Sequence, residues 1–187
     1  EVAGFNSNMI TVIMIIAGVG MAAGNFIGGR LADRFSPLKT TGVLLLAMIA
    51  SLLIVSFTAY HQPVAIIMTF ITGAIAFAVI APMQMLMIQA AKGSEMLASA
   101  ALQASANMGN AAGAYLGGLP IAAGFSYTSP EYVGAGLAFT GFLFCMAIAA
   151  MKKKQHALQT VTAESVPVTT TVKTIVHEKL NYENSIH

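Results

Sequence analysis

From Thr40 to Ala91 the chain carries no Asp, Glu, Lys or Arg, and the same holds from Met96 to Pro130 and from Tyr132 to Met151. Uncharged runs of this length constrain the fold more than any other feature, because a helix of roughly 20 apolar residues crosses a hydrocarbon core about 30 Å thick. Five stretches meet that need, at about 9–28, 40–60, 64–89, 97–123 and 132–151. Only 9% of residues are charged and 57% are hydrophobic, whereas a soluble domain carries about 25% charged residues. A soluble bundle would need amphipathic helices, and these spans have no polar face. The expected fold is therefore all-α, a polytopic transmembrane helical bundle.

Local chemistry supports the boundaries. Ser36-Pro37 and Ser129-Pro130 each offer a serine cap with proline at the first helical position, and Pro63 can open the third span. Ser94-Glu95 puts a cap and a carboxylate at the positive end of the fourth. Within the third span Pro82 has no N–H for the carbonyl of Ala78, which predicts a bend.

The connections alternate in charge. Arg30, Arg34 and Lys39 follow the first span, Lys92 follows the third and Lys152, Lys153 and Lys154 follow the fifth, while the other two connections hold no Lys or Arg. Basic short loops stay in the cytoplasm, so the N-terminus is expected outside and the tail inside the cytoplasmic (inner) membrane. The opening residues 1–8 have neither an initiator Met nor the basic region of a signal peptide. They read as the end of a preceding loop, and the chain as the later part of a longer protein. The threonine-rich tail, 152–187, is expected to be mostly disordered and cytoplasmic, with 172–180 as a candidate transient helix.

Several functions are excluded by the same reading. A net charge of +2 with scattered basic residues does not suit nucleic acid. His61, His156, His177 and His187 lack metal-ligand spacing, and the lone Cys145 makes no thiolate site by itself. Gly18, Gly20 and Gly24 imitate a dinucleotide fingerprint, but they lie in an apolar span with no preceding strand. No catalytic residue, metal or cofactor is expected, and no enzyme.

Two glycine ladders recur: Gly20, Gly24 and Gly28 in the first span, and Gly109, Gly113 and Gly117 in the fourth. Glycines four apart make a flat groove that lets another helix approach closely in lipid. Both ladders contain GNxxG, as GNFIG and GNAAG, and both end in a glycine pair. Three spans separate the copies, so they would cross the membrane in opposite senses, as in the inverted repeats of secondary transporters. Chance recurrence of a common membrane residue is the plain alternative.

With these features the chain resembles the C-terminal half of a major facilitator superfamily transporter, nearest the drug and sugar efflux branch of proton antiporters, the arabinose-efflux-type permeases. That family carries a cytoplasmic loop motif after the second helix of each half: Gly, three residues, Asp, a basic residue, one residue, Gly and two basic residues. Gly29, Asp33 and Arg34 fill its first three defined positions, while Ser36 and Pro37 stand where a Gly and a basic residue would be. The resemblance implies five spans of a six-helix half, numbered eight to twelve in the whole, and a missing N-terminal half that holds the coupling acids.

It also implies export of small molecules (drugs, sugars or metabolites) by proton antiport and alternating access, with the proton gradient as energy source and the lipid bilayer as solvent. The rival reading is a structural membrane protein that assembles through its ladders and transports nothing. In the loop motif, Gly29, Arg30, Asp33 and Arg34 form either a gate, with Asp33 holding Arg30, Arg34 or a neighbouring helix, or a plain topology anchor. Because the family's tenth helix borders the central cavity, the candidate cavity residues are Asn25, Phe70, Phe77, Pro82, Gln84, Gln103 and Asn107. The amides, with Gln89 and Asn110, serve equally as hydrogen bonds between helices, and Met and Phe walls suit substrate or lipid.

Overall fold

The computed structural model describes residues 7–165 and residue 178. It falls into two compact units, Glu1–Met146 and Ala147–His187. The elements are α1 (Ser7–Arg34), α2 (Pro37–Thr58), α3 (Gln62–Ala78), α4 (Ile80–Ala90), α5 (Glu95–Ala122) and α6 (Ser129–Ser165).

The third span is interrupted as the proline requires. α3 stops at Ala78 and α4 resumes at Ile80, one turn before Pro82, whose missing N–H leaves the Ala78 carbonyl without its helical donor. Val79 keeps helical dihedrals (φ −70°, ψ −25°), and its N–H donates to the carbonyl of Ile75 at 3.3 Å. The segment is interrupted without unwinding. Serine capping is less than the sequence promises. Ser36 is the N-cap of α2 with proline following, and Ser94 precedes α5, yet neither side chain bonds its helix. Ser129 is itself helical, and its N–H donates to the Ser126 carbonyl at 2.9 Å.

Among the described residues, four helical segments are long and apolar enough to cross a membrane: Met9–Arg34, Pro37–Thr58, Gln62–Ala90 and Ser129–Thr160. The fifth expected span, α5, has the length, 28 residues or about 42 Å. Its Ala, Ser, Gly, Gln and Asn make it less apolar than the rest. α6 also exceeds expectation, staying helical through Lys152, Lys153 and Lys154 to Ser165. No Gly or Pro interrupts that segment, and its Lys, Gln, Ala and Leu are good helix formers. The remainder of the tail, including the candidate helix at 172–180 apart from Glu178, lies outside the described residues.

Burial in the first unit is the inverse of a soluble core. Small and hydroxyl-bearing residues lie inside, among them Ala32, Ala78, Ala98, Ser51 and Ser56, while Met14, Phe57 and Phe144 stand about 70% exposed. Water would not tolerate so large an apolar surface, and a bilayer requires it. Inside, α1 lies on α3 with backbones in contact. A Cβ at Gly20 would come 2.6 Å from the carbonyl oxygen of Phe70, and one at Gly24 or Gly28 would overlap the backbone of Ala74 or Ala78. In return, a Cβ at Gly73 would stand 3.4 Å from the Ala17 carbonyl.

These pairs also fix direction. Gly20 meets Phe70, Gly24 meets Ala74 and Gly28 meets Ala78, so α1 and α3 run parallel. On the other side Gly134 meets Leu52, Gly141 meets Leu45, and Phe142 and Cys145 lie beside Gly42, so the first part of α6 runs antiparallel to α2. Its Cys145 thiol donates to the Leu38 carbonyl at 3.4 Å. Since α2 and α3 form a hairpin, α6 runs the same way as α3, and α5 has to return the chain across the bundle between them. Several hydroxyls are satisfied by their own helices, as a low-dielectric surrounding favours: Thr41 donates to the Pro37 carbonyl, Thr69 to that of Ala65 and Thr140 to that of Gly136, whereas the buried hydroxyls of Thr40 and Ser56 have no partner among the described residues. Ser51 and Thr72 share a hydrogen bond of 2.6 Å between α2 and α3.

Candidate functional site

Where the proline-broken span turns toward α5, a cavity of about 500 Å³ opens. Phe77, Ile80, Met83 and Gln84 supply one wall, and α5 supplies the other through Ser99, Leu102, Gln103, Ser105, Ala106, Asn107 and Asn110. Three elements of sequence build it. The break at Val79 separates α3 from α4, Pro82 is fully buried just beyond it, and α5 presents polar residues at helical spacing. Ser99, Gln103, Asn107 and Asn110 follow one another at intervals of three or four, which places them on one face. Gln84, Gln103 and Asn107 are exposed in the chain, so their amides face open space rather than a neighbouring helix. Among the described residues no ionisable side chain lines this cavity. Its recognition chemistry is hydrogen bonding from amides and hydroxyls between apolar walls of Phe and Met.

Four of the expected cavity residues therefore meet: Phe77, Gln84, Gln103 and Asn107. Asn25, Phe70 and Pro82 are not among its lining. Asn25 is exposed on α1, one residue on from Gly24 and so turned away from the α3 contact. Phe70 lies two turns before Phe77, beneath Gly20, and Pro82 shapes the turn from inside the packing. Sequence reasoning missed Ser99, which the polar periodicity of α5 marks, and Ser105, which lies off that spacing.

A second cavity of about 350 Å³ lies among α1, α2, α3 and the start of α6, lined by Met21, Val55, Thr69, Thr72 and Glu131 among others. Glu131 reads from the sequence as a loop residue. Folding brings its half-buried carboxylate beside the two threonines.

At the loop after α1, the Arg30 guanidinium lies 4.4 Å over the ring of Phe26, a cation–π contact. Asp33 and Arg34 are exposed, and among the described residues no ion pair joins Asp33 to either arginine. At the next basic turn Gly93 adopts φ +83°, which aims its N–H at Glu95 Oε1, 2.9 Å away. That bond, with a second from the backbone N–H of Glu95 itself, holds the Glu95 carboxyl below its ordinary value.

A bundle of apolar helices with inverted burial and an uncharged polar cavity defines an integral, multi-pass membrane protein. The chain matches the family model of the Major Facilitator Superfamily over residues 2–180, and it belongs to that family of transporters. It is 35% identical to "Putative transporter AraJ" of Escherichia coli over 83% of its own length and 40% of that protein's. It is 37% identical to "Inner membrane transport protein YdhP" of the same species over 67% of its length and 32% of that protein's. To "Uncharacterized MFS-type transporter YtbD" of Bacillus subtilis it is 32% identical over 64% of its length and 31% of that protein's. The chain thus spans well under half of these relatives. No solved structure matches it.

Proposed function

We propose that this chain is the C-terminal part of a secondary transporter that exports small molecules across the cytoplasmic membrane by proton antiport and alternating access. The observation that carries the reading is the cavity between the broken third span and α5. Its four amides, Gln84, Gln103, Asn107 and Asn110, offer donors and acceptors on the two facing walls, whereas Thr41, Thr69 and Thr140 elsewhere in the bundle bond their own helix backbone. Such a surface suits an uncharged, hydrogen-bonding solute, with drugs, sugars and metabolites as the classes to screen.

α5 acts in this reading as a fifth crossing. Its direction is required by its neighbours, and its lower hydropathy fits a helix that faces a polar path on one side. The protein then leaves its tail in the cytoplasm, and the missing N-terminal half supplies the coupling acids and the other wall of the path. Relatives more than twice as long as this chain support that division. At the cytoplasmic loop, Asp33 serves as a gate. Its carboxylate is exposed and not committed to Arg30, whose guanidinium lies over Phe26, which suits a contact made in one state and broken in the other.

The experiment is export from cells expressing the full-length protein, with Gln103→Ala/Asn107→Ala and Asp33→Asn as variants. Loss of export from the cavity pair, at unchanged expression, supports the path. Export unaffected by that pair would favour the structural alternative or a different path, and export unaffected by Asp33→Asn would leave only an anchor at the loop.

A further inference from the structure

Beside the loop motif, and separate from the cavity above, a pocket of about 340 Å³ lies between the end of α1 and the start of α2. Leu31, Phe35 and Val43 form its apolar sides, and Ser36, Lys39 and Thr40 its polar ones. Three observations there bear on a ligand. Thr40 is 5% exposed, and its Oγ1 is buried without a hydrogen-bond partner, whereas the adjacent Thr41 donates to the Pro37 carbonyl at 2.9 Å. The Ser36 hydroxyl occupies the N-cap position of a 22-residue helix yet makes no capping bond. Lys39 brings a positive charge to the same place, and Asp33 is not among the residues that line it.

A buried donor left unpaired is costly, and the N–H groups of Leu38 and Lys39 lie ahead of the first helical bond of α2, from the Thr40 N–H to the Ser36 carbonyl at 3.0 Å, and so have no acceptor within the helix. One group answers all of these at once: an anion with several acceptor oxygens at the positive end of α2, neutralised by Lys39, which binds phosphate as a point charge. The apolar sides would take the organic part of the molecule. We propose that this pocket binds a phosphate ester, from either the headgroup of a membrane phospholipid or a free phosphorylated solute. The site is independent of the transport path: it shares no residue with the cavity between α4 and α5.

The test uses the full-length protein purified in a neutral, phosphate-free detergent. Thermal unfolding and native mass spectrometry are read with added phosphatidylglycerol, with diacylglycerol of the same chains, and with inorganic phosphate. Phosphatidylglycerol should raise Tm and diacylglycerol should not. Lys39→Gln should weaken the phospholipid effect roughly tenfold, in line with the loss of one charged hydrogen-bond partner, and Lys39→Arg should retain it. Thr40→Val matches the shape of threonine and removes an unpaired hydroxyl, so it should fold at least as well without ligand yet respond severalfold more weakly to phosphatidylglycerol. A shift produced by inorganic phosphate as well assigns the site to free phosphates; a shift produced by the lipid alone assigns it to the headgroup. Equal responses of wild type, Lys39→Gln and Thr40→Val, or equal stabilisation by diacylglycerol, would overturn the proposal.

Discussion

The two glycine ladders are nearly the same in sequence and opposite in structure. Gly20, Gly24 and Gly28 lie against the backbone of α3, with no room for a Cβ at any of the three. Gly109 and Gly113 meet nothing within 4 Å, and Gly117 meets only Pro130, at 3.6 Å. Four-residue spacing therefore specifies a groove and not what fills it. α1 has its partner within this chain because α3 runs parallel to it and offers Gly73 and Ala74 at the contact. α5 turns its polar stripe to the cavity, and its Gly109 and Gly113 meet no helix among the described residues, only Gly117 approaching the start of α6.

Substitutions break the symmetry in a definite order. Gly24→Leu should prevent α1 from docking and abolish folded protein on size exclusion. Gly24→Ala and Gly28→Ala should each cost about 1–3 kcal/mol as overpacking in thermal unfolding of detergent-solubilised protein. Gly109→Ala and Gly113→Ala in the isolated chain should change stability by no more than about 0.5 kcal/mol. Equal losses in both ladders would mean that α5 is packed as tightly as α1. In the full-length protein the outcome for Gly113 sharpens the contrast: if Gly113→Leu cuts transport while the isolated chain tolerates it, the open groove is filled by the rest of the protein.

On the cavity face of α5, Gln103→Ala/Asn107→Ala should lower export about tenfold, equivalent to about 1.4 kcal/mol, with little change in Tm; a matching collapse in Tm would identify these amides as packing bonds. The α2–α3 fastener is smaller. Ser51→Ala, which removes the bond to Thr72, should cost about 0.6 kcal/mol, and an unchanged melting curve would show that the bond adds nothing in the membrane. Smallest is the anchor at the start of α5. Because the Gly93 and Glu95 N–H groups depress the Glu95 carboxyl below 4.5, the stability it contributes is complete above that value. It fades as pH falls through the lowered one. Glu95→Gln should therefore be slightly less stable than wild type at neutral pH and converge with it in acid, and a difference independent of pH would count against the bond.

Much of the architecture was legible without coordinates. Charge-free runs gave the helices, Pro82 gave the break in the third span, and GNxxG with the loop motif pointed to the family. The cavity was partly legible, because Phe77, Gln84, Gln103 and Asn107 are polar or aromatic residues on the right spans. Asn25 and Phe70 were assigned to it because a one-dimensional pattern does not tell which side of a helix meets which neighbour. Ser105 and Glu131 escaped notice for the converse reason, since each looks ordinary until another helix is placed beside it, whereas Ser99 stood in the polar spacing of α5.

Sequence by itself determined that this chain is helical, lipid-facing and built for close helix packing, since hydropathy and glycine spacing act over one or two turns and need no partner to be read. Only the tertiary structure decided which ladder closes, which amides share a cavity, and which buried hydroxyls, those of Thr40 and Ser56, are left over. Those outcomes depend on helix rotation and relative direction, and these are set by contacts such as Gly24 with Ala74 and Gly134 with Leu52, between residues far apart in the chain.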